Sequence, residues 1–303
     1  MPGENMDLKE QDPMSLQKRL ASGEFVILAE MDTPKGVDIS DLVTNARRIK
    51  GQVDAVIVPD MEKDIMRMSA LGGGVMMQQQ GLEAVIHVSC RDRNRIAIQG
   101  ELLSAHVLGI QNLIVVHSDE MTYGDHIDAK AVEDLNEVEL LEVIRSLQKG
   151  VDMAGFDLKG QPQFTVGCTL RPYADDAGLE AEAAAVGKKV EAGAQYVITP
   201  PVFDLERFAR LADKIGDLGV PLIPTVFLLK SVGTARYIAT TEPAAGVSEE
   251  MIRRIRKAPD RVRECILIAG ELVAGFKEMA QGVKIETLGW EHSIPDIMEA
   301  AGI

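Results

Sequence analysis

The chain has 303 residues, 46% of them hydrophobic and only 4% aromatic, and a formal net charge of −15. That length allows two domains, but one closed α/β barrel occupies roughly 250 residues, and such acidity disfavours nucleic acid and anionic membrane surfaces as partners. No apolar run reaches the roughly 18 residues of a bilayer span and the N-terminal stretch is too acidic for a signal peptide, so a cytoplasmic location is expected; three cysteines without a C-x-x-C pair exclude a disulfide framework and an iron–sulfur site of the chain's own.

In chain order, residues 1–24 read as an extension ending in a lead-in helix, SLQKRLASGE, and residues 25–303 as one barrel. Eight short apolar segments are the candidate strands: FVILAE ending at Glu30, DAVIV at Val58, EAVIHVSC at Cys90, NLIVV at Val116, QFTVGC at Cys168, QYVIT at Thr199, PLIPTVF at Phe227 and KIETL at Leu288. Their near-continuous β-branched character suits parallel strands buried on both faces, and their alternation with helical patterns predicts a (β/α)8, or TIM, barrel. Asp38 or Ser40 is the expected cap of the first helix after Glu30. The next, EKDIMRMSALGGG, is expected to stop at Gly72 to Gly74. RDRNRIAIQGELLSAHVLG follows as a helix. The fourth and seventh crossovers are long; the fourth opens with a candidate active-site loop after Asp119, and the seventh holds the helical pieces SVGTARYIAT, SEEMIRRIRKA and RVRECILIAGELVAGFKEMAQG.

Barrel chemistry sits on the loops after the strands, which directs attention to Glu30, Asp60, His87, His117 to Asp119, Thr169 to Pro172, Thr199 and Pro200. Glu30 closes the first strand, and its carboxyl is expected to point into the mouth. His87 and Cys90 make an H-x-x-C pair, but residues three apart on a strand face opposite ways, so no metal site is expected. His117, Ser118 and Asp119 are consecutive and cannot adopt the relay geometry of a hydrolytic triad. Lys188 and Lys189, late in the fifth crossover helix, read from their position alone as a solvated face complementing the helix dipole, with Glu182 two turns earlier on the same face as Lys189. A lyase using a lysine Schiff base is disfavoured because no lysine stands at a predicted strand end.

At these positions the chain resembles the methylenetetrahydrofolate reductase family, from about Phe25 to Ile303. The matching stretches are AEMDTPKG, GLEAVIHVSCRDRN, LLSAHVLGIQNLIVVHSD, KKVEAGAQYVITPPVFD and PLIPTVFLLKS. The resemblance implies a flavoprotein of one-carbon metabolism and methionine biosynthesis that reduces 5,10-methylenetetrahydrofolate to 5-methyltetrahydrofolate. It places Glu30 at the general acid that protonates N10 of the folate, and Asp119 at the aspartate beside the flavin and pterin. It places His87, His117, Ser118, Arg171, Glu182, Lys189 and Ala194 around the flavin, expected to be FAD with FMN as the alternative, and Pro200 and Thr234 with Glu30 and Asp119 around the folate.

The departures from the family pattern matter as much. His117-Ser118-Asp119 stands for Arg-Gly-Asp, and Arg171 is a candidate for the missing cation. Pro200 stands for a substrate-binding Gln, Thr234 and Ile238 for residues that stack the folate or nicotinamide, and Trp290 for an Arg. Together with the ending IETLGWEHSIPDIMEAAGI, they resemble the anaerobic branch of the family. That implies electrons delivered by an iron–sulfur partner subunit rather than directly by NAD(P)H, and an oligomer or hetero-complex. A flavin-free, pterin-binding methyl-transfer or accessory subunit is the alternative.

Overall fold

Aliphatic runs without polar interruption are satisfied where both faces of a strand are covered. The segments form parallel strands β1 (Val26–Glu30), β2 (Ala55–Val58), β3 (Ala84–Val88), β4 (Asn112–Val115), β5 (Thr165–Thr169), β6 (Tyr196–Pro201), β7 (Leu222–Phe227) and β8 (Gly282–Glu286). They close in chain order, β1 pairing with both β2 and β8. The (β/α)8 barrel is seen in a computed structural model that describes residues 14–117 and 124–303. The crossovers carry α2 (Ser40–Ile49), α3 (Ala70–Gln79), α4 (Arg95–Val107), α5 (Glu137–Gln148), α6 (Asp176–Ala192) and α7 (Leu205–Gly216). Between β7 and β8 come the expected α8 (Val232–Thr241), α9 (Glu249–Lys257) and α10 (Arg261–Lys277), and α11 (Ile294–Ala301) ends the fold.

Alternation along each strand divides two cores. Val26, Leu28, Ala55, Ile57, Val85, Ile114, Tyr196, Ile198 and Ile223 form one cluster inside the barrel, whereas Ala29, Val56, Ile86, Leu113 and Val197 join the larger layer between strands and helices. Gly167 makes room for the Tyr196 ring: a Cβ there would stand 2.3 Å from Tyr196 Cε2. The buried Tyr196 hydroxyl donates to the Leu113 carbonyl at 3.1 Å. The lead-in helix α1 (Leu16–Ser22) contributes Leu16 and Leu20 to the interior cluster. It is tied down by Leu16 N donating to Glu83 at 2.9 Å and by Gln281 donating to the Leu20 carbonyl at 2.5 Å. These partners precede β3 and β8, so α1 closes the N-terminal end of the barrel and leaves the C-terminal mouth for chemistry.

Several local expectations need correction. The helix expected to end in the triple glycine instead begins after a single 3-10 turn, Glu62–Asp64, and α3 runs straight through Gly72 to Gly74. The glycines let the helix approach the sheet: a Cβ at Gly73 would lie 2.6 Å from Thr33 Cγ2 and 2.7 Å from Val58 Cγ1, and one at Gly74 2.7 Å from Ile86 Cγ2. β3 stops at Val88 and β4 at Val115, short of Cys90 and Val116, while β8 begins earlier and ends at Glu286, with Leu288 in a left-handed turn at φ 43°. Ile39 occupies the cap of α2, and Asp38 accepts from Ser40 N at 3.0 Å just outside it.

Candidate functional site at the barrel mouth

Side chains that face inward at the strands' C-terminal ends change from aliphatic to ionisable. The registers Leu28↔Lys284 and Glu30↔Glu286 put Lys284 one layer below the two carboxylates, on the same interior face. Lys284 Nζ lies 2.6 Å from Glu30 Oε2 and 3.6 Å from Glu286 Oε2. Glu30 is 4% exposed and Glu286 8%. Burial works against the Lys284 ammonium, but the charges of Glu30, Glu286 and Glu62 outweigh it and hold it protonated well above the ordinary lysine range. His87 completes the layer from β3. Burial pushes its imidazole down to about 4 against the pull of Glu30, so it is neutral near pH 7.

Lys284, Glu286, His87, Thr169, Pro200 and Arg91 are among the residues lining a cavity of about 200 Å³ over this layer. At its β2–β3 side a buried ion network stiffens the rim: Arg91 engages Asp64 and also Asp92 at 2.8 Å, and Arg93 bridges Asp60 at 2.8 Å and Glu101 at 2.6 Å. Asp60 also accepts from the first amide of α3 at 2.9 Å, which locks the loop to the helix.

Arg91, Val116 and His117 are shared with a second, larger cavity of about 630 Å³ between the starts of α5 and the flank of α6. Its centre is Glu137, which takes Arg171 at 2.7 Å, His117 at 3.0 Å and the buried Lys189. Lys189 also donates to the Thr169 carbonyl at 2.8 Å. Burial pushes the Glu137 carboxyl up, yet the hydrogen bonds and charges of Lys189 and Arg171 prevail and hold it below the usual range. Glu182 accepts from Arg171 N at 2.8 Å, fixing the loop after β5 to α6.

The reading of Lys188 and Lys189 as one solvated face thus holds only for Lys188, which is exposed; Lys189 is 4% exposed, its stem carrying the charge back toward the mouth. Ala194 does not join the site. It precedes β6, at the closed end of the barrel, and is buried in the outer core. Thr234 has its amide bound by Ser231 Oγ at 3.1 Å in the first turn of α8, and Ile238 packs into the core. Pro200 stands in β6 at a register shift between Ile198 and Pro201, and it lines the inner cavity without an N–H to offer. Trp290, at the rim after β8, has Lys230 Nζ 5.2 Å from its ring centre. Ser118 and Asp119 lie outside the described residues.

Sequence reasoning missed Lys284, Glu286 and Glu137. The first two were legible as a K-x-E spacing inside an apolar strand, which puts both charges on one face. A lysine does reach the mouth at Lys284, from the middle of β8 rather than from its end. A lyase remains disfavoured for a different reason, since a Schiff base needs a neutral amine and this one is held charged. Glu137 had a local signal in the Asn136-x-x-Glu139 capping box that starts α5. Among the described residues no cluster of His, Cys, Asp and Glu could hold a metal, and no helix is long and apolar enough to cross a membrane.

The profile of the methylenetetrahydrofolate reductase family matches residues 15–302. The chain belongs to that family. Methylenetetrahydrofolate reductase 2 of Schizosaccharomyces pombe is 22% identical over 243 residues, 76% of this chain and 37% of the yeast protein. A probable methylenetetrahydrofolate reductase (NADPH) of Caenorhabditis elegans is 21% identical over 240 residues, 75% of this chain and 34% of the worm protein. The chain therefore spans about a third of the length of these curated relatives. In fold it is similar to an uncharacterized protein of Clostridium thermocellum that binds two copies of 5-methyl-5,6,7,8-tetrahydrofolic acid. That likeness has a TM-score of 0.63 and 14% identity, and covers 96% of this chain and 100% of the other.

Proposed function

We propose that this reductase-family chain converts 5,10-methylenetetrahydrofolate to 5-methyltetrahydrofolate with a flavin as hydride donor. The observation that carries the reading is Glu30, a carboxyl held inside the barrel at the end of β1 in contact with Lys284, where the family keeps its acid. Glu30 gives a proton to N10 of the folate, the carbon–N10 bond breaks toward N10, and the N5 lone pair forms an iminium ready for reduction. His87 is neutral beside this path and adds no positive charge against the developing cation. Asp119, following His117 in sequence, is proposed as the anionic partner of that cation.

Arg171 and Lys188 of the larger cavity would hold the phosphate end of a flavin, and when bound the flavin would supply the hydride. Five carboxylates (Glu133, Asp134, Glu137, Glu139 and Glu182) line that cavity beside Arg91, Arg171, Lys188 and Lys189. Because Glu137 already occupies Lys189 and one arm of Arg171, and Asp64 and Asp92 hold the buried Arg91, the cations facing the groove are the exposed part of Arg171 and Lys188. This balance supports the single phosphate of FMN over the diphosphate of FAD. Chromatographic identification of the molecule released on denaturation, with a methylenetetrahydrofolate reduction assay, tests the proposal. A colourless protein that binds 5-methyltetrahydrofolate without reducing its precursor would instead favour the flavin-free accessory reading, which Pro200 supports.

A further inference from the structure

Lys284 has no assigned role, yet it is the cation closest to the proposed acid. Its side chain is 12% exposed and that of Glu30 3%, with 2.6 Å between Nζ and Oε2. Lys284 lines the inner cavity and touches Glu30, which lies behind that lining, so the ammonium links Glu30 to the space for substrate. The other groups facing this pair are Glu286 on the same strand, Asp60 and Glu62 in the loop after β2, and His87 on β3. His87 is neutral near pH 7, and the Lys284 ammonium is the cation in contact with Glu30.

A carboxylate in contact with an ammonium keeps its charge, whereas a general acid must hold a proton. Resting on the proposed reductase reading, we propose that Lys284 is a positioning residue that sets the protonation of Glu30, so that the Lys284–Glu30 pair, rather than Glu30 alone, is the proton-donating unit. In the ring-opening step the Glu30 proton passes to N10 and the carbon–N10 bonding electrons move onto N10. The Glu30 carboxylate left behind is held by the Lys284 ammonium, which keeps its own protons, and Glu30 regains a proton from solvent in the mouth cavity. No electrons are gained or lost by either side chain. Glu286, within 3.6 Å, holds the ammonium in place while Glu30 is protonated.

The test compares the full-length protein with K284M, which removes the charge at similar length, K284R, which keeps it, and E286Q. The Glu30 side-chain carboxyl carbon, identified by its absence in E30Q, is followed by ¹³C NMR across pH. In K284M, Glu30 faces the Glu286 carboxylate without the cation, so its titration moves up by roughly one pH unit or more, and the basic limb of kcat/KM for methylenetetrahydrofolate moves with it. In K284R both stay near wild type. In E286Q the ammonium is left to Glu30, whose titration moves down; this arm serves where K284M fails to fold. A Glu30 signal that titrates at the same pH in wild type, K284M and E286Q overturns the proposal. Shifted NMR titrations in a protein without reductase activity support the pair and overturn the reductase reading instead.

Discussion

Lys189, near the C-terminal end of α6, and Glu137, the first residue of α5, form an ion pair in which the two side chains are 5% and 10% exposed. The pair joins two helices 52 positions apart in sequence on the underside of the larger cavity. Its members come from a lysine pair whose helix position alone suggests solvent and from a glutamate that sequence reading passes over.

Removing the carboxylate leaves the Lys189 charge buried with the Thr169 carbonyl as its remaining hydrogen-bond partner among the described residues. Glu137→Gln should therefore lower the unfolding free energy by about 3–5 kcal/mol, and Lys189→Met by less, because Arg171 still meets the carboxylate. Urea unfolding of both variants at pH 7 checks the order; equal losses would show that Arg171 does not compensate. Since Glu137 is held below its ordinary value in the fold, its contribution is present at neutral pH and lost as pH falls through the folded value.

His87 has the opposite charge type and an acid dependence in a different window. Its folded value of about 4 lies below the unfolded value of 6.5, so between these pH values the unfolded chain binds the extra proton. Stability from this group is complete above about pH 6.5 and falls as pH drops toward 4, by on the order of 3 kcal/mol. In His87→Gln that part of the stability slope between pH 6.5 and 4 should vanish. An unchanged slope would mean the imidazole is solvated.

Glu30→Gln should keep the barrel, since Glu286 remains beside Lys284, while methylenetetrahydrofolate reduction falls roughly 10²- to 10⁴-fold, the usual cost of a lost general acid. Activity within about twofold of wild type, in a protein with unchanged circular dichroism, would remove Glu30 from the chemistry.

The glycines of α3 separate packing from helix propensity. Gly73→Ala drives a methyl into Thr33 and Val58 and should cost roughly 1–3 kcal/mol. Gly100→Ala in α4, where a Cβ meets nothing within 4 Å, should stabilise by about 0.5–1 kcal/mol. Thermal melts of the two variants should move in opposite directions.

Ile238 is 4% exposed and packs in the core, so α8 offers no ring at that position for stacking a nicotinamide, forgoing roughly 0.5–1.5 kcal/mol. The flavin-loaded chain should accept electrons poorly from NADH or NADPH alone and need a partner protein. Stopped-flow bleaching of the flavin by either nucleotide faster than turnover would return electron delivery to this chain.

The order and type of the barrel elements are determined by sequence alone, because hydrophobic periodicity and strand length are local properties: each aliphatic run from Val26 to Glu286 reports its own burial on both faces. Glu30 and His87 were legible as residues of the barrel mouth for a related reason, since a strand end in such a barrel faces the mouth whatever surrounds it. Tertiary structure decided the electrostatics. The Lys284–Glu30 contact depends on closure of β8 against β1, and Lys189 changes from a solvated charge to a buried one when the start of α5 meets α6. The glycines of α3 read as a helix stop until Thr33, Val58 and Ile86 press against them. Local patterns set which residues turn inward, but the energy of a charge or a missing Cβ depends on what a distant segment brings within a few ångströms, and no window of sequence contains both partners.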